Sequence, residues 1–148
     1  MQLKTKHFGD ITYDPNDVIT FEEGLPGFRD SVHFILMADA PTDLFQWLQS
    51  TDDGDLAFVV VDVRQIMPEY SPLIDPGAIA SLEDGGELSY YNIAVVPDDL
   101  EKMRVNLKAP IVINTTARKG KQVIAANEEY GVRHYVFADS NQPAQMGG

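Results

Sequence analysis

The chain has no cysteine among its 148 residues. That excludes disulfides, thiolate metal centres and cysteine nucleophiles. Long apolar runs are missing as well, since none approaches the roughly 18 residues that a membrane-spanning helix needs. The opening Met1-Gln2-Leu3-Lys4-Thr5-Lys6 leads into no apolar segment, so no secretory signal is expected and a cytoplasmic location is. The histidines His7, His33 and His134 stand far apart, with no H-x-x-x-H or H-E-x-x-H spacing to hold a metal. Phosphate-binding glycine patterns are absent, because Gly24-Leu25-Pro26-Gly27 carries a proline and opens no helical pattern. There is no G-x-S-x-G elbow. No catalytic activity, metal or cofactor is expected from these residues.

Positive charge is scarce. Lys and Arg number 11 against 23 Asp and Glu, for a net charge of −12. The imbalance is uneven: residues 1–101 hold 20 acids and 4 cations, a net of −16, whereas residues 102–148 hold 3 acids and 7 cations. Phosphate neutralisation needs clustered Lys and Arg, so direct nucleic-acid binding is not expected. The small cluster Arg118-Lys119-Lys121 does not reverse that. An acidic surface of this kind suits a basic protein partner.

What the sequence does have is turn punctuation. Gly, Pro and Asp-rich breaks cut it into short β-prone segments: 3–8, 11–13, 18–21, 33–37, 44–49, 56–63, 89–96, 104–107, 111–114 and 121–125. The run Leu56–Val63 is the most apolar and suits a strand buried on both faces. Residues 78–83 have room for a turn or two of helix. Pro97–Met103 has a proline start and early acids, which suits another short helix. In Asn106-Leu107-Lys108-Ala109-Pro110-Ile111-Val112-Ile113-Asn114 the proline belongs just at the start of a strand, where a missing donor matters least. About nine strands with one or two short helices predict an all-β, mainly antiparallel, barrel-like domain over 1–139. Residues 140–148 read as a disordered tail.

Adjacent acids such as Glu22-Glu23 or Asp52-Asp53 suggest an alternative: a small-molecule hydrolase or ligand-binding β-barrel using paired carboxylates. Neighbours on a strand point to opposite faces, however, so adjacency alone builds no shared site. Asp52-Asp53-Gly54-Asp55 lacks the spaced ligands and terminal Glu of a calcium loop.

Several stretches, in order, resemble the FliW family of flagellar assembly factors. They are Phe8-Gly9-Asp10-Ile11; Ile19 to Phe28, reading ITFEEGLPGF; FQWLQS at 45–50 with LAFVVVD at 56–62; and NLKAPIVIN with RKGKQVI at 118–124. Tyr130 and Arg133-His134 also fall where that family often has a Tyr and a basic pair. The likeness spans roughly residues 3–136. Val63 departs from it, standing where the family often has Pro, as does Ser71 after Glu69-Tyr70. The resemblance implies a β-barrel-like protein, monomeric when free, with two partners: the translational regulator CsrA and flagellin. It implies that CsrA is bound away from its RNA site, relieving repression of flagellin mRNA, and that free flagellin takes the protein away from CsrA. Candidate partner-facing residues on that view are Asp52, Asp53, Asp55, Asp62, Glu69 and Tyr70.

Overall fold

Turns set the strand boundaries. Asn114 Oδ1 accepts from Thr116 N at 3.0 Å and Ala117 N at 2.9 Å, and Arg118 takes a left-handed φ of 57° to finish that reversal. Gly27 has φ 86° in a turn closed by Phe28 N donating to Leu25 O at 2.7 Å. A computed structural model describes residues 1–25, 27–38, 43–82 and 87–136, so the expected tail at 140–148 lies outside the described residues.

Among the described residues the strands are β1 (Gln2–Thr5), β2 (Gly9–Thr12), β3 (Ile19–Thr20), β4 (His33–Met37), β5 (Phe45–Ser50) and β6 (Ala57–Val61). They continue as β7 (Leu88–Val95), β8 (Arg104–Val105), β9 (Ile111–Asn114), β10 (Lys119–Gln122) and β11 (His134–Tyr135). β1 and β2 form their own hairpin. The other nine form one sheet in the order β11-β8-β7-β6-β5-β4-β3-β10-β9. β7 also pairs with β9, which bends the sheet into a ring of β7, β6, β5, β4, β3, β10 and β9. The ring is barrel-like rather than a continuous barrel. At β3 and β10 the ladder shrinks to one parallel pair, Thr20 with Lys119, while the other pairings are antiparallel.

The period-two alternation of strands sorts side chains between two faces. Ile19, Phe21, Phe34, Leu48, Val60, Ile111 and Ile113 fill the ring interior. Val61, Tyr70, Ala94, Val105 and Leu107 build a second cluster outside it, and Ile79, Leu82, Val112 and Val123 a third. β6 is thus buried on both faces at its end, with Val60 at 1% and Val61 at 0% exposure. Helix α1 (Pro76–Ile79) starts where Asp75 Oδ1 accepts from Gly77 N at 3.0 Å, and a 3-10 turn, Ala80–Leu82, follows it. The helix expected over Pro97–Met103 shrinks to a 3-10 turn, Leu100–Lys102, because Asp99 caps the chain two residues later than Pro97. Strand β11, too short to carry a periodic signal, lies beyond the expected strands.

Pro110 directly precedes β9, and its carbonyl accepts from Val123 N at 3.0 Å. The missing donor therefore leaves β9 intact. Gly120 on β10 points into the ring, where a Cβ would sit 2.5 Å from the Phe21 ring. We expect Gly120→Ala to lower stability by about 1–3 kcal/mol through overpacking, against a small change for Gly131→Ala in the same chemical denaturation assay. Val112→Pro should be more damaging in thermal melts than Pro110→Ala.

Candidate functional site

The six candidate residues fall into two groups at opposite ends of β6. The seven steps from Asp55 to Asp62 correspond to roughly 20 Å of extended chain. No single patch contains them all.

The first group is the β5–β6 turn. Ser50 Oγ accepts from Asp52 N at 3.1 Å and Asp53 N at 2.9 Å, and Asp53 Oδ1 accepts from Asp55 N at 3.0 Å. These bonds fix the turn and aim its carboxylates. Asp52 turns inward to β4: its Oδ2 accepts from Val32 N at 2.9 Å and His33 N at 3.0 Å, and its Oδ1 lies 3.1 Å from His33 Nδ1. Partial burial pushes the Asp52 carboxyl upward, but the Val32 and His33 amides and the His33 ring outweigh it and hold the group below its usual 3.8. Asp53 and Asp55 remain exposed.

The second group surrounds the 3-10 turn Val63–Gln65. Asp62 leads into it, and its Oδ2 accepts from Gln65 Nε2 at 3.3 Å. Burial first, and then the charge of Asp62, raise the Tyr91 phenol above its usual 10, with a hydrogen bond from Gln46 working against them. Glu69 is exposed in the following loop. Among the described residues, ion pairs engage Asp52, Asp17 and Glu23, and none forms on Asp53, Asp55, Asp62 or Glu69.

Tyr70 corrects the expectation of a partner-facing ring. It is 2% exposed, its hydroxyl donates to Leu107 O at 2.7 Å, and Asn92 Nδ2 donates to that hydroxyl at 3.0 Å. Its ring lies 4.7 Å from that of Tyr130, whose hydroxyl accepts from Ser71 N at 2.8 Å. Burial raises the Tyr70 phenol above its usual 10 despite the Asn92 bond. A tyrosine between a glutamate and a proline-rich loop gives no sequence signal of this, because the partners are 22 and 37 residues away.

Two features went unassigned in the sequence. Phe45, at the start of β5, is 42% exposed and pairs with Val61. Its place opposite Gln46 and Leu48 in the alternating run of β5 was the available signal. Trp47 is covered by the tip of the β1–β2 hairpin, with the Phe8 ring 5.2 Å away.

Two surface concavities bear on ligand binding. One of about 360 Å³ is lined by Gln2, Leu3, Lys4, Asp10, Ile11 and Thr12, and one of about 170 Å³ by Glu23, Gly24, Arg29, Gly120, Lys121 and Gln122. Each contains one carboxylate, so neither supplies the pair that an acid/base hydrolase needs. The ring interior is filled by side chains. Among the described residues, no group of three or more His, Asp or Glu is placed to hold a metal, and no helix is long and apolar enough to cross a membrane.

A filled β-ring with charge displayed on its turns defines an all-β protein whose distinctive exposed chemistry is acidic. A family model for FliW protein matches residues 2–136. The chain is 49% identical to a flagellar assembly factor FliW of Thermoanaerobacter pseudethanolicus over 142 residues, covering 94% of this chain and 95% of that protein. It is 38% identical to the FliW of Alkaliphilus metalliredigens, covering 100% and 99%. A crystal structure of the flagellar assembly factor FliW superposes with a TM-score of 0.85 at 34% identity, covering 95% of this chain and 99% of that one. The chain belongs to the FliW family of flagellar assembly factors.

The Asp52 geometry predicts a sign for pH dependence. A carboxyl held below its unfolded value contributes stability that is fully present above the unfolded value and disappears as pH falls through the folded one. The stability gap between wild type and Asp52→Asn should narrow as pH falls below 3.8, read from urea midpoints. Tyr70→Phe should cost about 1–3 kcal/mol at neutral pH, because the buried Asn92 amide and Leu107 carbonyl both lose a partner.

Proposed function

We propose that this chain binds the translational regulator CsrA and antagonises it allosterically, and that it binds flagellin as a chaperone-like partner. Flagellin then draws the chain away from CsrA, so that the flagellin level feeds back on its own translation. In this reading the protein acts in the cytoplasm, is a monomer when free, and performs no catalysis.

The observation that carries the proposal is family membership joined to an acidic surface. Residues 1–101 hold 20 acids against 4 cations, and Asp53, Asp55, Asp62 and Glu69 carry no ion pair among the described residues. An RNA-binding partner must display basic surface, and the exposed carboxylates of Asp53, Asp55 and Glu69 complement it at little desolvation penalty, with half-buried Asp62 in sequence reach of Glu69. Exposed Phe45, at the start of β5, offers an apolar anchor of the aromatic kind that carries binding energy at protein interfaces. Asp52 contributes less, since its carboxylate already serves the Val32 and His33 amides.

Purified CsrA and flagellin provide the test. Binding of CsrA should weaken about ten-fold or more with Asp62→Lys or Phe45→Ala. Flagellin should release CsrA from the complex. Failure to bind either protein would end the proposal. If the complex forms while RNA competes directly with this chain for CsrA, RNA mimicry replaces the allosteric mechanism.

A further inference from the structure

β7 forks. Its first half, Leu88–Tyr91, pairs with β9 and closes the ring, whereas Ala94 and Val95 pair with β8, which in turn pairs with β11. β8 and β11 therefore form a flange that runs on past the ring. One face of the flange is covered, with Ala94 at 7% and Val105 at 1% exposure in the cluster around Tyr70. The opposite face is open. There Val95, Arg104 and Tyr135 stand in one cross-strand row, with Val95 46% and Tyr135 45% exposed.

The main chain of the flange is open as well. β11 ends the sheet order, so one of its sides has no strand partner among the described residues. Val136 N donates to Met103 O at 3.0 Å, and antiparallel alternation then turns the N–H and C=O of Tyr135 away from β8, toward that side. Charge decides what such an edge can take. Lys102 and Arg133 flank the row in sequence, and neither they nor Arg104 form an ion pair among the described residues, in a chain of net charge −12. Of the acids in the β7–β8 connection, Asp99 accepts from Glu101 N at 3.1 Å, and none of Asp98, Asp99 and Glu101 pairs with a cation there. A second copy added at this edge would set the same cations against one another, and a basic partner is repelled. An extended segment with carboxylates and apolar side chains fits all three features of the edge: main-chain groups, cation and apolar row.

We propose that the β11 edge binds an extended, carboxylate-bearing partner segment as an added strand, bonded to the outward N–H and C=O of Tyr135. Arg104 takes a carboxylate of that segment, and Val95 with the Tyr135 ring supports its apolar side chains. The choice of occupant rests on the functional reading above: the segment belongs to flagellin, since the basic partner CsrA suits the acidic regions instead. The loop carrying Glu69 is fastened to the covered face of this same flange, through Tyr70 to Leu107 and Tyr130. Flagellin seated on the edge thus competes with CsrA for space around that loop and not for the same side chains.

Amide hydrogen exchange of the full chain reads the added strand directly. In the free chain the Tyr135 amide should exchange about ten-fold or more faster than that of Val136, which is bonded to Met103, and purified flagellin should protect it. Tyr135→Pro removes the outward donor and no β8 bond, and Arg104→Glu reverses the central charge. Each should weaken flagellin binding about ten-fold or more, with CsrA binding changed less than about two-fold and urea midpoints held. A Tyr135 amide left unprotected in the flagellin complex, or full-strength flagellin binding by both variants, overturns the edge site and leaves the functional reading standing. Protection of Tyr135 in the free chain that rises with protein concentration assigns the edge to a second copy. Protection that disappears on deleting residues 137–148 assigns it to the chain's own end. Either result overturns the proposal. If Tyr135→Pro does not fold, Arg104→Glu and the wild-type exchange pattern decide. Failure of the wild type to bind flagellin ends that part of the functional reading and this occupant with it.

Discussion

Everything in this molecule depends on the pairing of β7 with β9. Leu88–Tyr91 runs antiparallel to Ile111–Asn114, and this ladder converts an open nine-stranded sheet into a ring. Closure covers the β9 edge and gives the sheet an inside, while β8 and β11 run on beyond the ring. It also explains why the β9 residues are buried on both faces. Ile111 and Ile113 enter the ring interior, whereas Val112 packs outward against Ile79, Leu82 and Val123. Gly120 follows from the same constraint, since β10 must pass close enough to β9 and β3 that Phe21 occupies the space a side chain would take. The weak point of the ring is β3–β10, which rests on one parallel residue pair and the Thr20 N to Arg118 O bond at 3.0 Å.

The outer face is organised by hydrogen bonds as much as by apolar contact. Tyr70, Asn92 and Leu107 form a buried chain, and Asn92 Nδ2 also reaches Asn106 O at 2.8 Å. Asn127 extends it, accepting from Leu73 N at 2.6 Å and donating to Ser71 O at 3.2 Å. At its buried end, Tyr70 with Asn92 and Leu107, such a network specifies one arrangement strongly, because each broken bond strands a polar group away from water. Here it fastens an irregular, proline-rich loop to the ring and so determines where Glu69 is presented. Tyr70 supports that display without joining it.

Charge then separates structural acids from available ones. Asp52 is consumed by two amides and a histidine, Asp75 and Asp99 cap short turns, and Asp17 and Glu23 meet cations. Asp55 and Glu69 are left for water or a partner, and Asp53 and Asp62 each give one oxygen to a local bond and keep the other free of ion pairs. A FliW-family protein built this way offers two acidic regions separated by the length of β6, with the hairpin tip bonded to Gly54 beside one of them. A basic partner can engage either region separately, and electrostatic steering acts on both at once.

Alternation, turn residues and composition were enough to determine the all-β class, nearly every strand, the strand-initial place of Pro110 and the acidic character of the surface. These are local properties or sums over the chain. Ordered motifs such as ITFEEGLPGF and NLKAPIVIN also sufficed to point to the family. Tertiary structure alone decided that β7 pairs with β9, that Tyr70 is core, that Asp52 serves β4, and that His7 and Phe8 clasp Trp47. Each of those depends on residues about 20 to 40 positions apart meeting in space. The alternation of a strand states which side chains share a face; only packing states which face is buried, and against what.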